Sequence, residues 1–217
     1  MNRAPIRSDS LEAESYRSLR TTLTYSHLPE GRRVVLFTSA RRNEGKSTTA
    51  ANFAAICAYG ERQTLLIDAD LRNPRVESLF GLPDVYGLSA LLAAGGNADL
   101  ADIVVRTRIP TLDLLPAGDP AGNAAELLSR PKLAHLVEEA RAGYDWVVVD
   151  APPVLPIADA AILSRLVDGV VLVVDVSRTP IEAVRRAKDL LRAVDARLLG
   201  IVANRSPVKA TAYGYGR

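Results

Sequence analysis

Residues 39–50 read SARRNEGKSTTA, and this stretch decides how the rest of the chain is interpreted. The Gly-Lys-Ser at 45–47 matches the end of the phosphate-binding pattern G-x-x-x-x-G-K-[ST]. Ala40 stands where that pattern has its first glycine. Within the turn, Asn43 is an acceptable substitute for glycine, because asparagine tolerates left-handed backbone better than most residues. The stretch therefore predicts a phosphate-binding loop between a strand and a helix.

Short apolar runs alternate with helical patterns on both sides of this loop. Predicted strands cover residues 34–39, 64–70, 111–118, 144–152, 169–176 and 198–205. Predicted helices cover residues 8–28, 45–60, 87–94, 124–143, 157–167 and 181–196, with a boundary near Pro131. Apolar strands separated by helices indicate a parallel sheet covered on both faces. The sequence thus predicts an α/β fold with three α/β/α layers and ligand binding at the carboxyl ends of the strands.

The composition limits the classes of function. A chain of 217 residues suggests one large domain, and a net charge of +2 does not indicate a broad nucleic-acid surface. No apolar run approaches the ~18 residues of a membrane span, and the N-terminus lacks the apolar core of a signal peptide. The single Cys57 excludes an internal disulfide, which fits a reducing compartment. We therefore expect a soluble protein that reaches a membrane only through a partner.

Two aspartates stand at the end of the second predicted strand. Asp68 and Asp70 flank Ala69 within LLIDADLRNPR, residues 65–75. Alternation along an extended strand would put both carboxylates on the same side, where like charges need a metal, a basic neighbour or a raised pKa. One carboxylate near Mg²⁺ and another near an incoming hydroxyl would suit phosphoryl transfer. A strand end with a capping aspartate is the simpler alternative.

A third polar position follows the apolar run in WVVVDAPP, residues 146–153. Four apolar residues followed by Asp150 form a Walker B element, whose aspartate binds Mg²⁺ directly or through water. Within the loop, Lys46 would reach the β- and γ-phosphates, Ser47 would hold Mg²⁺ and Thr48 would contact the α-phosphate. An apolar run followed by an aspartate is weak evidence alone, but its combination with the loop and the paired aspartates in this order is strong.

In this order the motifs resemble those of the bacterial tyrosine kinase (BY-kinase) family, P-loop proteins related to the MinD/ParA ATPases. LLIDADLRNPR is similar to the family's Walker A′ motif, and VVVDAPP has its D-x-P-P ending. Residues 118–140 resemble the stretch before Walker B, although Asn123-Ala124 replaces the usual Asn-Pro. The resemblance runs over residues 8–205. It implies a P-loop NTPase fold and a protein-tyrosine kinase of capsular or exopolysaccharide synthesis that uses ATP, yields ADP and requires Mg²⁺.

The resemblance also implies roles for individual residues. The catalytic residues would be Lys46, Asp68, Asp70 and Asp150. Among these, Asp68 would orient or deprotonate the tyrosine hydroxyl, with Asp70 in support. The nucleotide would be bound by Asn43, Glu44, Gly45, Lys46, Ser47, Thr48, Arg72, Asn204 and Arg205. The Mg²⁺ ligands would be Ser47, Asp68 and Asp150.

Three segments are expected along the chain: an N-terminal helix over 1–30, a kinase domain over 31–205 and a flexible tail over 206–217. In the family, the E-x-x-R-x-x-R motif, here Glu14, Arg17 and Arg20, mediates contacts in a ring-shaped homo-oligomer. The resemblance also implies that neighbouring subunits phosphorylate tail tyrosines in trans, which would here be Tyr213 and Tyr215. Glu and Arg three positions apart could equally be an intrahelical pair worth ~0.2–0.5 kcal/mol, and the tail could be a plain disordered terminus.

The family also implies partners and a location. We expect a membrane polysaccharide co-polymerase as activator, other proteins as further substrates, no nucleic acid, and a cytoplasmic site at the inner face of the plasma membrane. Two alternatives stay open. A MinD/ParA-like positioning ATPase would carry a signature lysine where this chain has Arg41. A nucleotide-gated scaffold without catalysis would be compatible with the altered loop and the short tail.

Overall fold

The computed structural model describes residues 5–10, 12–26, 28, 31–82, 86–94, 99–155 and 158–206. The helices in these residues are α1 (Ala13–Thr24), α2 (Lys46–Tyr59), α3 (Val76–Phe80), α4 (Leu88–Ala94), α5 (Ala124–Leu128), α6 (Pro131–Gly143), α7 (Asp159–Ser164) and α8 (Ile181–Ala193), with a 3-10 turn at Leu100–Asp102. The strands are β1 (Arg33–Ser39), β2 (Thr64–Asp68), β3 (Val105–Arg106), β4 (Leu112–Leu115), β5 (Trp146–Asp150), β6 (Gly169–Asp175) and β7 (Leu198–Asn204). The predicted helix boundary near Pro131 is confirmed, since α5 ends and α6 begins there.

The strands form one sheet in the order β3-β4-β2-β5-β1-β6-β7. All neighbouring pairs are parallel except β3 and β4. Side chains of β1 alternate between two core clusters, with Val34 and Leu36 in one and Val35 and Phe37 in the other. Helices α4 to α8 complete the first cluster, and α1 to α3 complete the second. The predicted three-layer fold with a mostly parallel sheet is therefore confirmed.

Helix α2 packs directly on the centre of the sheet. It is buried along most of its length because its inward residues are small, as the run of alanines at 50, 51, 54 and 55 shows. Phe53 lies between Phe37 and Trp146, with ring centroids 5.2 and 5.3 Å away. Helix α2 therefore runs from the carboxyl end of β1, where it begins, towards the amino end of β2, which follows it along the chain.

Several strands end a few residues before the boundaries that the sequence predicts. The predicted strand over 64–70 is wrong at its end, because β2 stops at Asp68. Oδ1 of Asp68 accepts a hydrogen bond from the amide of Asp70 (3.0 Å), which turns the chain. Strand alternation therefore does not extend to Asp70. The strands predicted over 111–118 and 144–152 likewise end at Leu115 and Asp150.

Other differences lie in short elements and at the N-terminus. The sequence did not predict α3 or β3, because five and two residues are too few to show a period. Helix α1 begins at Ala13 rather than residue 8, and Oγ of Ser10 accepts a hydrogen bond from the Ala13 amide (3.3 Å). Leu23 of α1 is buried in the same cluster as α2. In the described part of the chain, no helix combines the length and the apolar character needed to cross a bilayer.

Candidate active site

The phosphate-binding loop joins β1 to α2 at the carboxyl end of the sheet. Asn43 (φ 64°) and Gly45 (φ 93°) both adopt left-handed backbone, so the chain turns sharply before α2 begins at Lys46. The prediction that Asn43 takes a glycine-like conformation is confirmed. Ala40, in place of the first glycine of the pattern, is buried in the core cluster, where its methyl group adds to the packing.

Two polar side chains support this loop from within the protein. The buried carboxylate of Glu44 accepts hydrogen bonds from the Arg41 amide (2.9 Å) and from the Thr179 hydroxyl. Nδ2 of Asn204 donates to the main-chain carbonyl of Glu44 (2.8 Å). A Cβ atom at Gly45 would lie 2.1 Å from the same Nδ2, so the bracing requires glycine there. Sequence reasoning missed Thr179, because only the fold brings it to the loop.

Lys46 lies between aspartates from the ends of two neighbouring strands. Its Nζ is 2.8 Å from Oδ2 of Asp70 and 3.2 Å from Oδ2 of Asp150. Oγ of Ser47 lies 3.2 Å from the same Nζ. Strands β2 and β5 are paired with Asp68 opposite Asp150, which brings the Walker A′ and Walker B motifs together. The fold therefore assembles all four predicted catalytic residues at one place.

Burial and charge together set the protonation of this group. Burial by itself would lower the pKa of Lys46, but the charges of Asp150 and Asp70 outweigh it and raise that pKa above its ordinary value. Burial raises the pKa of Asp150, and the charge of Lys46 offsets only part of this effect. The lysine therefore keeps its positive charge at neutral pH, and this is the form that binds phosphate.

The carboxylate of Asp68 is fully buried and accepts hydrogen bonds from the main chain. Besides the Asp70 amide, it accepts from the amides of Arg75 and Val76, each 3.0 Å from Oδ2. It thus satisfies two N–H groups at the start of α3. Burial, and then the charges of Asp150 and Glu77, raise the pKa of Asp68 well above its ordinary value. Its predicted role towards a tyrosine hydroxyl stays a prediction.

A cavity of about 380 Å³ opens beside the loop. Predicted site residues that line it are Asn43, Gly45, Lys46, Ser47, Thr48, Asp70 and Arg205. Further lining residues that were not predicted include Asn73, Ser78 and Leu79, which belong to α3 and the turn before it. The only sequence signal for them was the run that follows Asp70, which carries no helical period.

Other predicted nucleotide-binding residues are engaged within the protein. Nε and Nη2 of Arg72 lie 2.7 and 3.3 Å from the carboxylate of Asp159, the first residue of α7. The side chains of Glu44 and Asn204 support the loop, as described above. Arg205 lines the cavity while its guanidinium pairs with Asp175. Contacts of these residues with a nucleotide stay predictions.

The donor set near Lys46 fits a magnesium ion that also binds a phosphate ligand. Among the described residues, no three His, Cys, Asp or Glu side chains are grouped as a metal site. Mg²⁺ usually takes one or two carboxylates and completes its shell with water and substrate phosphates. Nζ of Lys46 is 3.2 Å from both Oγ of Ser47 and Oδ2 of Asp150, so two of the predicted ligands lie around the same ammonium group.

The predicted oligomerisation motif lies on α1, which packs along α2. Nη1 of Arg17 is 2.8 Å from the carboxylate of Glu14, an exposed pair within one helix. Nη1 of Arg20 donates to the main-chain carbonyl of Ile56 in α2 (2.9 Å). The intrahelical alternative is therefore present, and the role of the motif in assembly stays a prediction. Both predicted phosphorylation sites, Tyr213 and Tyr215, lie outside the described residues.

Comparison with known proteins adds independent evidence to this geometry. The family model described as "AAA domain" matches residues 33–199. The chain is 41% identical over 180 residues to the tyrosine-protein kinase YwqD of Bacillus subtilis, covering 83% of this chain and 75% of that protein. It is 38% identical over 177 residues to the putative tyrosine-protein kinase EpsB of Ralstonia solanacearum. That match covers 82% of this chain but only 23% of the Ralstonia protein.

Solved structures show the same similarity in three dimensions. The chimerical protein CapA2B2 is similar with a TM-score of 0.86 and 33% identity, covering 93% of this chain and 88% of that chain. The kinase domain of Escherichia coli tyrosine kinase ETK gives a TM-score of 0.84 and 30% identity, covering 94% and 80%. MinD of Pyrococcus horikoshii, at 22% identity and a TM-score of 0.69 over 82% and 72% of the two chains, shares the fold. From its motifs, its sheet topology and these similarities, we conclude that the chain belongs to the bacterial tyrosine kinase family.

Proposed function

We propose that this chain is an ATP-dependent protein-tyrosine kinase that transfers phosphate to tyrosine hydroxyls. The observation that carries the proposal is the position of Lys46 at the phosphate-binding loop, with its Nζ between Asp70 and Asp150. A charged lysine at a helix N-terminus suits phosphate, and neighbouring carboxylates suit a metal ion and a hydroxyl proton. The tyrosine-protein kinase names of the relatives support the same activity.

The residues of the loop fit a nucleotide with Mg²⁺. The left-handed turn at Gly45 and the N-terminus of α2 offer main-chain N–H groups to phosphate oxygens. Ser47 and Asp150 would supply protein ligands to Mg²⁺, and Asn43 and Thr48 would border the phosphates. Bound ATP with Mg²⁺ would supply the phosphoryl group and neutralise charge on it.

We assign different roles to the two Walker A′ aspartates. Asp70 lines the cavity, so its carboxylate is placed to accept the proton of a tyrosine hydroxyl. Asp68 accepts the amide hydrogen of Asp70 and two amide hydrogens at the start of α3. This geometry favours Asp68 as the residue that positions Asp70, which reverses the order of importance that the sequence suggests.

We further propose that the tail tyrosines Tyr213 and Tyr215 are phosphorylated in trans within a ring-shaped homo-oligomer. A membrane polysaccharide co-polymerase would activate the enzyme and hold it at the inner face of the plasma membrane, and capsular or exopolysaccharide synthesis would be the process regulated. These points rest on the resemblance of E-x-x-R-x-x-R, Walker A′ and the Tyr-Gly tail to the family.

The test is phosphotyrosine detection after incubation with Mg-ATP and the cytoplasmic segment of the neighbouring membrane protein. Tyrosine phosphate is expected on the parent chain, with the sites mapped by mass spectrometry. Loss of signal in Lys46→Met with retention in Arg186→Gln, an exposed arginine on α8, would support catalysis by this site. Tyrosine phosphate that survives Lys46→Met would contradict the kinase assignment.

Transfer between subunits is tested by mixing a catalytically inactive acceptor chain with an active donor chain that lacks the tail tyrosines. A Lys46→Met chain keeps its tail, and a chain lacking residues 211–217 keeps its loop. Phosphotyrosine that appears on the Lys46→Met tail only in the mixture indicates transfer in trans. Equal signal from the parent chain at all dilutions would indicate transfer within one subunit instead.

A further inference from the structure

A second cavity, of about 660 Å³, lies at the amino end of the sheet. Four arginines line it, Arg20, Arg32, Arg33 and Arg62, and we call it the basic cavity. They come from α1, from the segment around the start of β1 and from the turn before β2. Strand β1 has seven residues, so at ~3.3 Å per residue the basic cavity lies about 20 Å from the phosphate-binding loop.

The charges in the basic cavity are not balanced. Among the described lining residues Asp145 is the single carboxylate, so four arginines less one aspartate leave a formal charge of +3 on these residues. Oδ2 of Asp145 accepts a hydrogen bond from the Gln63 amide (3.0 Å). Within the described part of the chain, none of the four guanidinium groups is within 4.0 Å of a carboxylate oxygen. A concave surface lined by charges of one sign concentrates ions of the opposite sign.

Two of the guanidinium groups are fixed in place. Arg33 donates from Nη1 to the carbonyl of Gly31 (2.8 Å), and its guanidinium lies 5.3 Å from the ring centroid of Trp146. Arg20 donates from Nη1 to the carbonyl of Ile56 (2.9 Å). Groups that are already ordered lose little entropy when a ligand binds.

Arg33, a lining residue of the basic cavity, has a polar atom without an acceptor among the described residues. Nε of Arg33 is buried and makes no hydrogen bond within the described residues, and it is the single buried side-chain nitrogen or oxygen there of which this is true. Buried N–H groups are nearly always hydrogen-bonded, so an exception of this kind indicates a missing acceptor. An anionic oxygen is the acceptor that arginine prefers.

We propose that the basic cavity is a second anion-binding site and that its ligand is a dianionic phosphate group. Guanidinium groups match phosphate oxygens with paired N–H donors, and a dianion offsets a charge of +3 better than a single carboxylate does. The ligand could be free phosphate or a phosphorylated tyrosine side chain, since Tyr25 is 85% exposed at the wall and offers a ring to stack on. The site does not depend on the proposed kinase activity.

Intrinsic fluorescence gives a direct test, because the only tryptophan of the chain, Trp146, lies in the wall of the basic cavity. Inorganic phosphate and O-phosphotyrosine are titrated into the full chain, and calorimetry measures the same binding. We expect a saturable change for both probes. Tighter binding of phosphotyrosine would assign the ligand to a phosphorylated side chain, and equal binding would assign it to free phosphate.

Two matched double variants distinguish phosphate binding in the basic cavity from a general effect of the protein's net charge. The double variant Arg32→Gln/Arg62→Gln removes two exposed lining charges and should weaken phosphate about tenfold or more. Arg185→Gln/Arg186→Gln removes the same charge from exposed positions on α8 and should leave the affinity unchanged. A circular-dichroism spectrum and a melting curve for each variant verify that it is folded.

Several outcomes would overturn the proposal. Equal weakening by both double variants would reduce the effect to net charge. If Lys46→Met abolished the binding signal, the phosphate would be bound at the phosphate-binding loop and not in the basic cavity. Glutamate that binds as tightly as phosphate, or an apparent affinity that falls as protein concentration rises, would assign the basic cavity to carboxylates, including those of a second copy. Absence of both a fluorescence change and a heat of binding would exclude the site.

Discussion

Basic side chains lie at both ends of the strands, in opposite electrostatic settings. We call these two ends of the sheet the carboxyl edge and the amino edge. At the carboxyl edge, Lys46 is within 3.2 Å of two carboxylates, so its charge is compensated inside the protein. At the amino ends of the strands, the four arginines of the basic cavity face one aspartate among the described lining residues. Helix α2, with 14 residues and a length of about 21 Å, connects the two edges. A compensated cation can exchange partners when phosphate binds, whereas uncompensated cations require a ligand to balance them.

The largest expected effect is at the carboxyl edge. Lys46→Met should lower the rate of tyrosine phosphorylation by about 10²–10³-fold, because a preorganised positive charge at the transferred phosphate is lost. Initial rates with Mg-ATP measure the effect. A decrease of less than tenfold, with the variant folded, would mean that the compensated lysine is not central to the reaction.

Substitution of Asp68 tests whether this buried carboxylate contributes to the stability of the fold. Asp68→Asn should lower the free energy of unfolding by about 1–3 kcal/mol, because an amide nitrogen replaces an oxygen that accepts main-chain N–H groups. Urea unfolding of parent and variant measures the difference. Asp70→Asn is the matched control, since it should lower activity more than stability.

The raised pKa of Asp68 predicts how stability depends on pH. In the unfolded chain an aspartate titrates near its ordinary pKa of ~3.9, and in the folded protein burial raises that pKa well above it. Its contribution to stability is therefore fully present below the ordinary pKa and is lost as pH rises through the folded pKa. Asp68→Asn should flatten this part of the curve of unfolding free energy against pH. A parallel curve would show that another group, such as Asp150, dominates.

Substitutions of the two arginines of the α1 motif, Arg17 and Arg20, test whether the motif acts in stability or in assembly. Arg20→Gln should cost about 1 kcal/mol, because its hydrogen bond to the Ile56 carbonyl near the end of α2 is lost. Arg17→Gln should cost less than about 0.5 kcal/mol, since its pair with Glu14 is exposed. Unfolding at low protein concentration isolates the single chain, and light scattering at high concentration measures assembly. Loss of assembly in both variants with no change in stability would favour the interface role for the motif.

The smallest effect is expected for Asn43→Gly, in the loop that keeps Gly45 but has Ala40 in place of the first glycine of the pattern. Asn43→Gly should change the free energy of unfolding by less than about 1 kcal/mol, because glycine adopts φ 64° without strain. Asn43→Val at the same position should cost about 1–3 kcal/mol, because a β-branched residue does not tolerate this backbone. If both variants behave alike, the left-handed turn is not needed for the loop.

Much of this protein was predictable from local patterns. The strand–loop–helix around Lys46, the Walker B aspartate Asp150 and the α/β layers were all predicted, because they depend on neighbouring residues or on a regular period. Helix α3 was not predicted, and the cavity residues that it supplies were missed with it. Thr179 was missed because it lies 135 positions from Glu44, which it contacts.

The sequence by itself determined the layered α/β class, the loop and the family, since alternating apolar runs and short motifs act over a few residues. The tertiary structure decided which aspartate lines the cavity, because β2 ends at Asp68 and turns only Asp70 towards Lys46. It also decided that four arginines distant along the chain converge at the amino edge. Such convergence depends on strand order and helix packing, which bring together residues that no local pattern connects.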